Sequence, residues 1–153
     1  MKIFRHPHAG SAGTAIAIGS FDGVHLGHQA ILAHVARKAR SLGLQASVLT
    51  FEPLPREFFR PAAAPPRLTS LAERLEALSR AGIQAAYVQR FDAAFAAIGA
   101  QEFEERLPAR YGARWVTVGE DFRYGARRMG DLQSLTEAGR RLGFEVAVIP
   151  AIA

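Results

Sequence analysis

Four times along this chain a helical stretch stops at one glycine and an apolar run of strand type begins at once, at Gly43, Gly82, Gly112 and Gly143. Glycine just past a helix takes the left-handed conformation that closes its last turn. The helices read as Gln29 to Leu42, a stretch opened by the capping box Ser70-Leu71-Ala72-Glu73 with leucines at 71, 75 and 78, then Gln101 to Tyr111 and Leu132 to Leu142, each with apolar residues at helical spacing. Pro108 is expected to shorten or kink the third. The strands read as Thr14–Ile18, Gln45–Phe51, Ala85–Gln89, Arg114–Val118 and Glu145–Ile149. Such alternation gives parallel strands joined by right-handed crossovers. The expectation is one α/β domain over residues 1–153, an open, Rossmann-like parallel sheet of five strands with helices on both faces. Met1 to Gly13 reads as a strand or loop without a motif, and Trp115 as core.

Ligands of open α/β sheets bind outside the carboxyl ends of the strands, where the strand order reverses. Three segments leaving strands are unusual. The first is Gly19-Ser20-Phe21-Asp22-Gly23-Val24-His25-Leu26-Gly27-His28, a glycine-rich turn running into a helix start, where backbone N–H groups and the helix dipole suit an anion such as phosphate. His25 and His28, three apart, can face one bound group. Asp22 reads equally as a simple turn residue accepting the Val24 amide or as a phosphate or metal contact. The second, residues 52–67, holds five of the eight prolines and reads as a long loop without regular structure; Phe58 and Phe59 either stack on a planar ligand or tuck the loop onto the core. The third is Gly119 to Asp131, polar and glycine-rich, where Arg127 and Arg128 taken alone read more readily as solvated than as ligating. All three should converge on one site.

Composition narrows the chemistry. With no cysteine, disulfides, thiolate metal sites and cysteine nucleophiles are excluded, and a reducing, cytoplasmic setting is expected. The 19 basic residues against 14 acidic give a net charge of +5, which favours a polyanionic partner. Their scatter, without a basic stripe and interleaved aromatics, argues against nucleic acid. Only Lys2 and Lys38 are lysines, and no Gly-x-x-x-x-Gly-Lys loop, Gly-x-Gly-x-x-Gly fingerprint or Gly-x-Ser-x-Gly elbow occurs, which disfavours P-loop, hydride-transfer and acyl-transfer chemistry. No run approaches the roughly 18 apolar residues that span a bilayer, so no membrane partner is expected. His28 and His34, six apart, share a helix face poorly, against a three-histidine metal site.

His25-Leu26-Gly27-His28 resembles the His-x-Gly-His signature of the nucleotidyltransferase superfamily. The whole string from Gly19 to His28 resembles the adenylyltransferase module of bacterial bifunctional riboflavin kinase/FMN adenylyltransferases (FAD synthetases), as do Thr50 to Phe59, Arg67-Leu68-Thr69, Arg90-Phe91-Asp92 and Val118 to Gly125 with Arg128 and Gly130-Asp131. These blocks span about residues 14–149. The resemblance implies transfer of AMP from ATP to FMN, giving FAD and pyrophosphate, with Mg²⁺ accompanying ATP and no metal site built by the protein. It implies that His25 and His28 are catalytic, and that Gly19, Ser20, Phe21, Asp22, Gly23, Gly27, Gly119, Asp121, Arg123 and Arg128 face ATP and its phosphates. Glu52, Pro53, Pro55, Phe58, Leu68, Thr69 and Phe122 would hold the flavin. Ser20 stands where the family usually has asparagine, Leu54 where a polar residue is frequent and Tyr124 where phenylalanine is common. The family continues past the fifth strand to a Ser-Ser-Thr-x-x-Arg-like segment, so the expectation is a module short of its C-terminal end, without a riboflavin kinase domain and with impaired turnover. The alternative is a non-catalytic nucleotide- or flavin-binding module, or a fragment of a longer bifunctional enzyme.

Overall fold

The computed structural model describes residues 1–5, 13–23, 26–63 and 66–149. Six strands run parallel: β1 (Lys2–Phe4), β2 (Thr14–Ile18), β3 (Gln45–Glu52), β4 (Ala85–Arg90), β5 (Ala113–Gly119) and β6 (Glu145–Ile149). Their order in the sheet is β1-β4-β3-β2-β5-β6. The five expected strands are present, and the sixth is β1, which extends the sheet at its β4 edge with Ile3 opposite Ala86. Three residues are too few to show a period in sequence; the strand is held by ring contact, Phe4 stacking on Tyr87 at 5.0 Å.

The helices are α1 (Leu26–Leu42), α2 (Pro55–Phe59), α3 (Leu71–Arg80), α4 (Ala93–Ala96), α5 (Ala100–Tyr111) and α6 (Leu132–Leu142). Gly43, Gly82, Gly112 and Gly143 take φ of 68°, 93°, 64° and 93°, the left-handed geometry that the helix–glycine–strand pattern requires. On one face α1 and α3 bury Leu32, Val35, Leu75 and Leu78 against Ala17, Val48 and Trp115. On the other, α4, α5 and α6 bury Phe95, Phe103, Leu107 and Leu135 against Ile16, Leu49 and Val116.

Two local expectations need correction, and one short helix was not anticipated. The proline-rich segment is not structureless: Pro55 opens α2, at the helical position where its missing N–H has no partner to lose, and Glu57 reaches back to the Leu54 N–H at 2.8 Å. The four-residue α4 is capped by Asp92, whose carboxylate accepts the Phe95 N–H at 2.9 Å. Pro108 does not cut α5 short, and the helix runs to Tyr111.

Candidate active site

The strand order turns at β2, which has β3 on one side and β5 on the other. A cavity of about 1300 Å³ opens there, lined by all three unusual segments. From the first come Gly19, Ser20 and Phe21, with His28 from the first turns of α1; from the second, Pro55, Arg56, Phe59 and Arg60. The third supplies Gly119, Asp121, Phe122 and Arg123, then Arg127 and Arg128.

The glycine turn is under backbone constraint. Phe21 adopts φ 53° while 4% exposed, a conformation that non-glycine residues keep only where packing enforces it. His28 rests edge-on against its ring at 5.4 Å. At Gly23, φ is 62°, and a Cβ there would meet Leu68 Cδ1 at 2.6 Å. His25 and Val24 lie outside the described residues, and Gly27 sits in the first turn of α1.

Asp22 and Gly23 are not among the residues lining the cavity, and the structure gives Asp22 a definite partner set. Its carboxylate accepts the Leu68 N–H at 2.9 Å, the Thr69 N–H at 2.9 Å and the Thr69 hydroxyl at 2.9 Å. Arg56 Nη2 donates to it at 2.6 Å. Thr69 Oγ1 in turn accepts the Gly23 N–H at 3.2 Å. Burial alone would push this carboxyl up; the Leu68 and Thr69 amides, then Arg56, outweigh it and hold the group well below the usual carboxylate range. Asp22 therefore ties the glycine turn to the segment that follows β3.

A second tie runs through Glu52, which accepts Arg67 Nη2 at 2.8 Å on one oxygen and Arg74 Nη2 at 2.8 Å on the other. Arg67 also donates to Glu57 at 2.6 Å; that bond, against a smaller effect of burial, lowers the Glu57 carboxyl, and Glu57 and Glu52 together raise Arg67. Arg74 is 1% exposed and donates to the Ser20 carbonyl at 2.9 Å. Sequence reading overlooked Arg74, although the stripe Leu71, Arg74, Leu75, Leu78 has core-facing spacing and marks it as inward-pointing.

These partner sets predict a response to acid. Asp22 and Glu57 are both lowered in the fold, so their contribution to stability is fully present above the unfolded carboxyl range near about 4 and is lost as pH falls below it. Hydrogen exchange at the Leu68 and Thr69 amides, corrected for intrinsic rates, should lose protection as pH drops from about 5 towards 2. Unchanged protection at pH 2 would show that Asp22 does not hold them.

The 119–131 segment is fixed by Tyr124. Its backbone exchanges hydrogen bonds with Gly130 at 3.2 and 2.9 Å, and its hydroxyl donates to Glu104 at 2.6 Å and meets Ser134 Oγ at 2.9 Å. Burial first, and then Glu104, push the phenol well above its ordinary pKa, so it stays a donor. A Cβ on Gly130 would collide with the Tyr124 ring. Arg127 and Arg128 carry φ of 58° and 55°, and among the described residues neither forms an ion pair, nor does Arg60. Thr117, in the cavity lining, has a buried hydroxyl with no hydrogen-bond partner among the described residues.

Of the residues expected to hold a flavin, Pro55 and Phe122 line the cavity. Glu52 and Thr69 belong to the ties just described, Pro53 follows a cis peptide bond, and Leu68 is 73% exposed. Phe58 and Phe59 both pack on Phe91, each at 5.5 Å, and Phe59, 61% exposed, also lines the cavity. Phe51, Phe91, Phe95 and Phe103 continue an aromatic wall that sequence reading did not connect. Among the described residues no three His, Asp or Glu side chains cluster to hold a metal ion, and no helix is long and apolar enough to cross a membrane.

A parallel sheet that reverses its order beneath such a cavity defines a doubly wound α/β domain with its ligand crevice at the switch point. Residues 8–153 match the family model described as FAD synthetase, and the chain belongs to that family. It is 40% identical over 151 residues to the bifunctional riboflavin kinase/FMN adenylyltransferase of Escherichia coli (strain K12), covering 95% of this chain and 48% of that protein. To the Haemophilus influenzae protein of the same name it is 41% identical over 150 residues, covering 95% and 49%. The chain thus spans about half the length of the curated relatives it matches. A crystal structure of a macrolide-efflux protein from Streptococcus pneumoniae superposes with a TM-score of 0.77 at 26% identity, over 97% of this chain and 49% of that one.

Proposed function

We propose that this chain transfers the adenylyl group of ATP to FMN, forming FAD and releasing pyrophosphate, in the cytoplasm. The observation that carries the reading is the single cavity of about 1300 Å³ in which the glycine turn and His28 meet both a guanidinium-bearing loop and an aromatic wall. Its volume exceeds the roughly 300–1000 Å³ of a one-ligand pocket, and its two linings suit a triphosphate and a flat ring.

In this reading a phosphate oxygen of FMN attacks the α-phosphorus of ATP. The new P–O bond forms as the bond to pyrophosphate breaks in line, and pyrophosphate leaves with the electron pair. Such transfers depend on positioning and electrostatics more than on a protein nucleophile. Gly19 lets the triphosphate approach the backbone at the end of β2. His28 and Arg123, with Arg128, stabilise charge on the phosphate oxygens, and His25 acts with them on the family pattern. Mg²⁺ keeps several waters and takes few protein carboxylates; Asp121 and Glu120, on the cavity wall, are the carboxylates suited to it, and when bound it neutralises phosphate charge. Phe59 and Phe122 hold the ring. The test is chromatography of the chain incubated with FMN, ATP and Mg²⁺, with FAD and pyrophosphate expected in equal amounts. Binding of both substrates with neither product would overturn transfer in favour of a binding module.

A further inference from the structure

We propose that α2 selects a phosphorylated flavin over the uncharged one, with Arg56 and Arg60 binding the flavin's phosphate while Phe59 covers its ring. The Arg60 N–H closes the α2 turn onto the Arg56 carbonyl at 3.0 Å, which sets Arg60, just past the end of α2, one turn along from Arg56 and next to Phe59. All three line the cavity. A short helix thus presents one aromatic face flanked by two guanidinium groups, a chemistry that matches a planar ring carrying a dianion.

Neither guanidinium is spent. Arg60 has no ion pair among the described residues. Arg56 gives Nη2 to Asp22 at 2.6 Å, yet its side chain remains 36% exposed and its Nε, buried, has no hydrogen-bond partner among the described residues. A guanidinium carries five N–H donors in a fixed fork, so Asp22 aims Arg56 while leaving donors for a ligand. Riboflavin would stack on the same wall but leave both forks unused, and the discrimination is therefore electrostatic and sensitive to salt.

The inference rests on the ring binding beside α2, as proposed above. It is tested by flavin fluorescence titration with FMN and with riboflavin at about 50 and 500 mM salt, on the wild type, Arg60→Gln and Arg56→Lys/Arg60→Gln, the lysine keeping a cation opposite Asp22. The wild type should prefer FMN by about 30-fold at low salt and much less at high salt. Arg60→Gln should lower that ratio roughly fivefold and the double variant further, each with riboflavin affinity unchanged. A wild-type ratio near one, a ratio untouched by both variants, or equal losses for both flavins would overturn selection by α2 and leave adenylyl transfer standing. A wild type that binds neither flavin would instead remove the proposed function along with it.

Discussion

Replacing His28 by alanine is expected to lower kcat for FAD formation about 1000-fold, with KM for ATP changed little and the thermal midpoint within a degree or two of wild type. The size follows from removing one pre-placed donor from a site where charge builds on phosphate oxygens, a loss of roughly 10²–10³. The fall in kcat without a matching change in KM follows because that interaction strengthens only as the transition state forms. Stability should hold because His28 is half-buried at the cavity edge, and its ring contact with Phe21 at 5.4 Å sits on a side chain packed in the α1 core cluster. His28→Gln offers an N–H at nearly the same reach without the cation. Partial rescue would assign His28 the part of a hydrogen-bond donor, and no rescue that of a charge. Full activity in His28→Ala would remove the residue from the reaction and shift the argument to the arginines of the 119–131 segment.

The parts of this molecule that depend on near neighbours in the chain were legible, and those that depend on distant ones were not. The glycine stops after helices expose the strand alternation directly, because each needs only a local backbone conformation. The convergence of residues 19–28, 52–69 and 119–131 follows from that alternation, since all leave carboxyl ends of parallel strands. Proline density misled at α2 because Pro55 occupies the one helical position where proline costs nothing. Asp22 illustrates the harder limit. Its spacing suggested a turn amide two residues away or a ligand, whereas its donors come from Leu68 and Thr69, 46 and 47 residues along the chain, and spacing carries no trace of such pairing. Phe58 and Phe59 were indistinguishable as neighbours; the turn of α2 sets both rings on Phe91 and brings the second to the cavity as well. Arg74 was readable in principle, a cation in a leucine stripe, but its role depends on Glu52 and Ser20 being brought to it by the sheet.

Arg74 is also where the largest loss of stability is expected. Arg74→Ala should destabilise the fold by about 3 kcal/mol, lowering the thermal midpoint by roughly 10 °C for a domain of this size. The side chain is 2% exposed and joins α3 to the end of β3 through Glu52, and to the end of β2 through the Ser20 carbonyl at 2.9 Å. Burial pulls the Arg74 pKa down while Glu52 opposes it, and because a guanidinium stays charged, its burial is tolerated through that partner. Removing it strips the Ser20 carbonyl of a donor and opens a space beside Leu75 and Leu78. The loss stays near the lower end of the range for a broken buried pair because Glu52 keeps Arg67 at 2.8 Å. Arg74→Lys should recover less than half, since an ammonium cannot span the Ser20 carbonyl and Glu52 together. Arg80→Ala is the control: its pair with Glu76, 79% and 62% exposed, should shift the midpoint by no more than about 2 °C. Chemical denaturation of the three variants decides the matter. Equal losses in Arg74→Ala and Arg80→Ala would mean that the buried arginine is not what joins the glycine turn to α3, and that the phosphate-facing geometry of residues 19–23 is held by the Asp22 carboxylate and by the Thr50 hydroxyl on the Ser20 carbonyl.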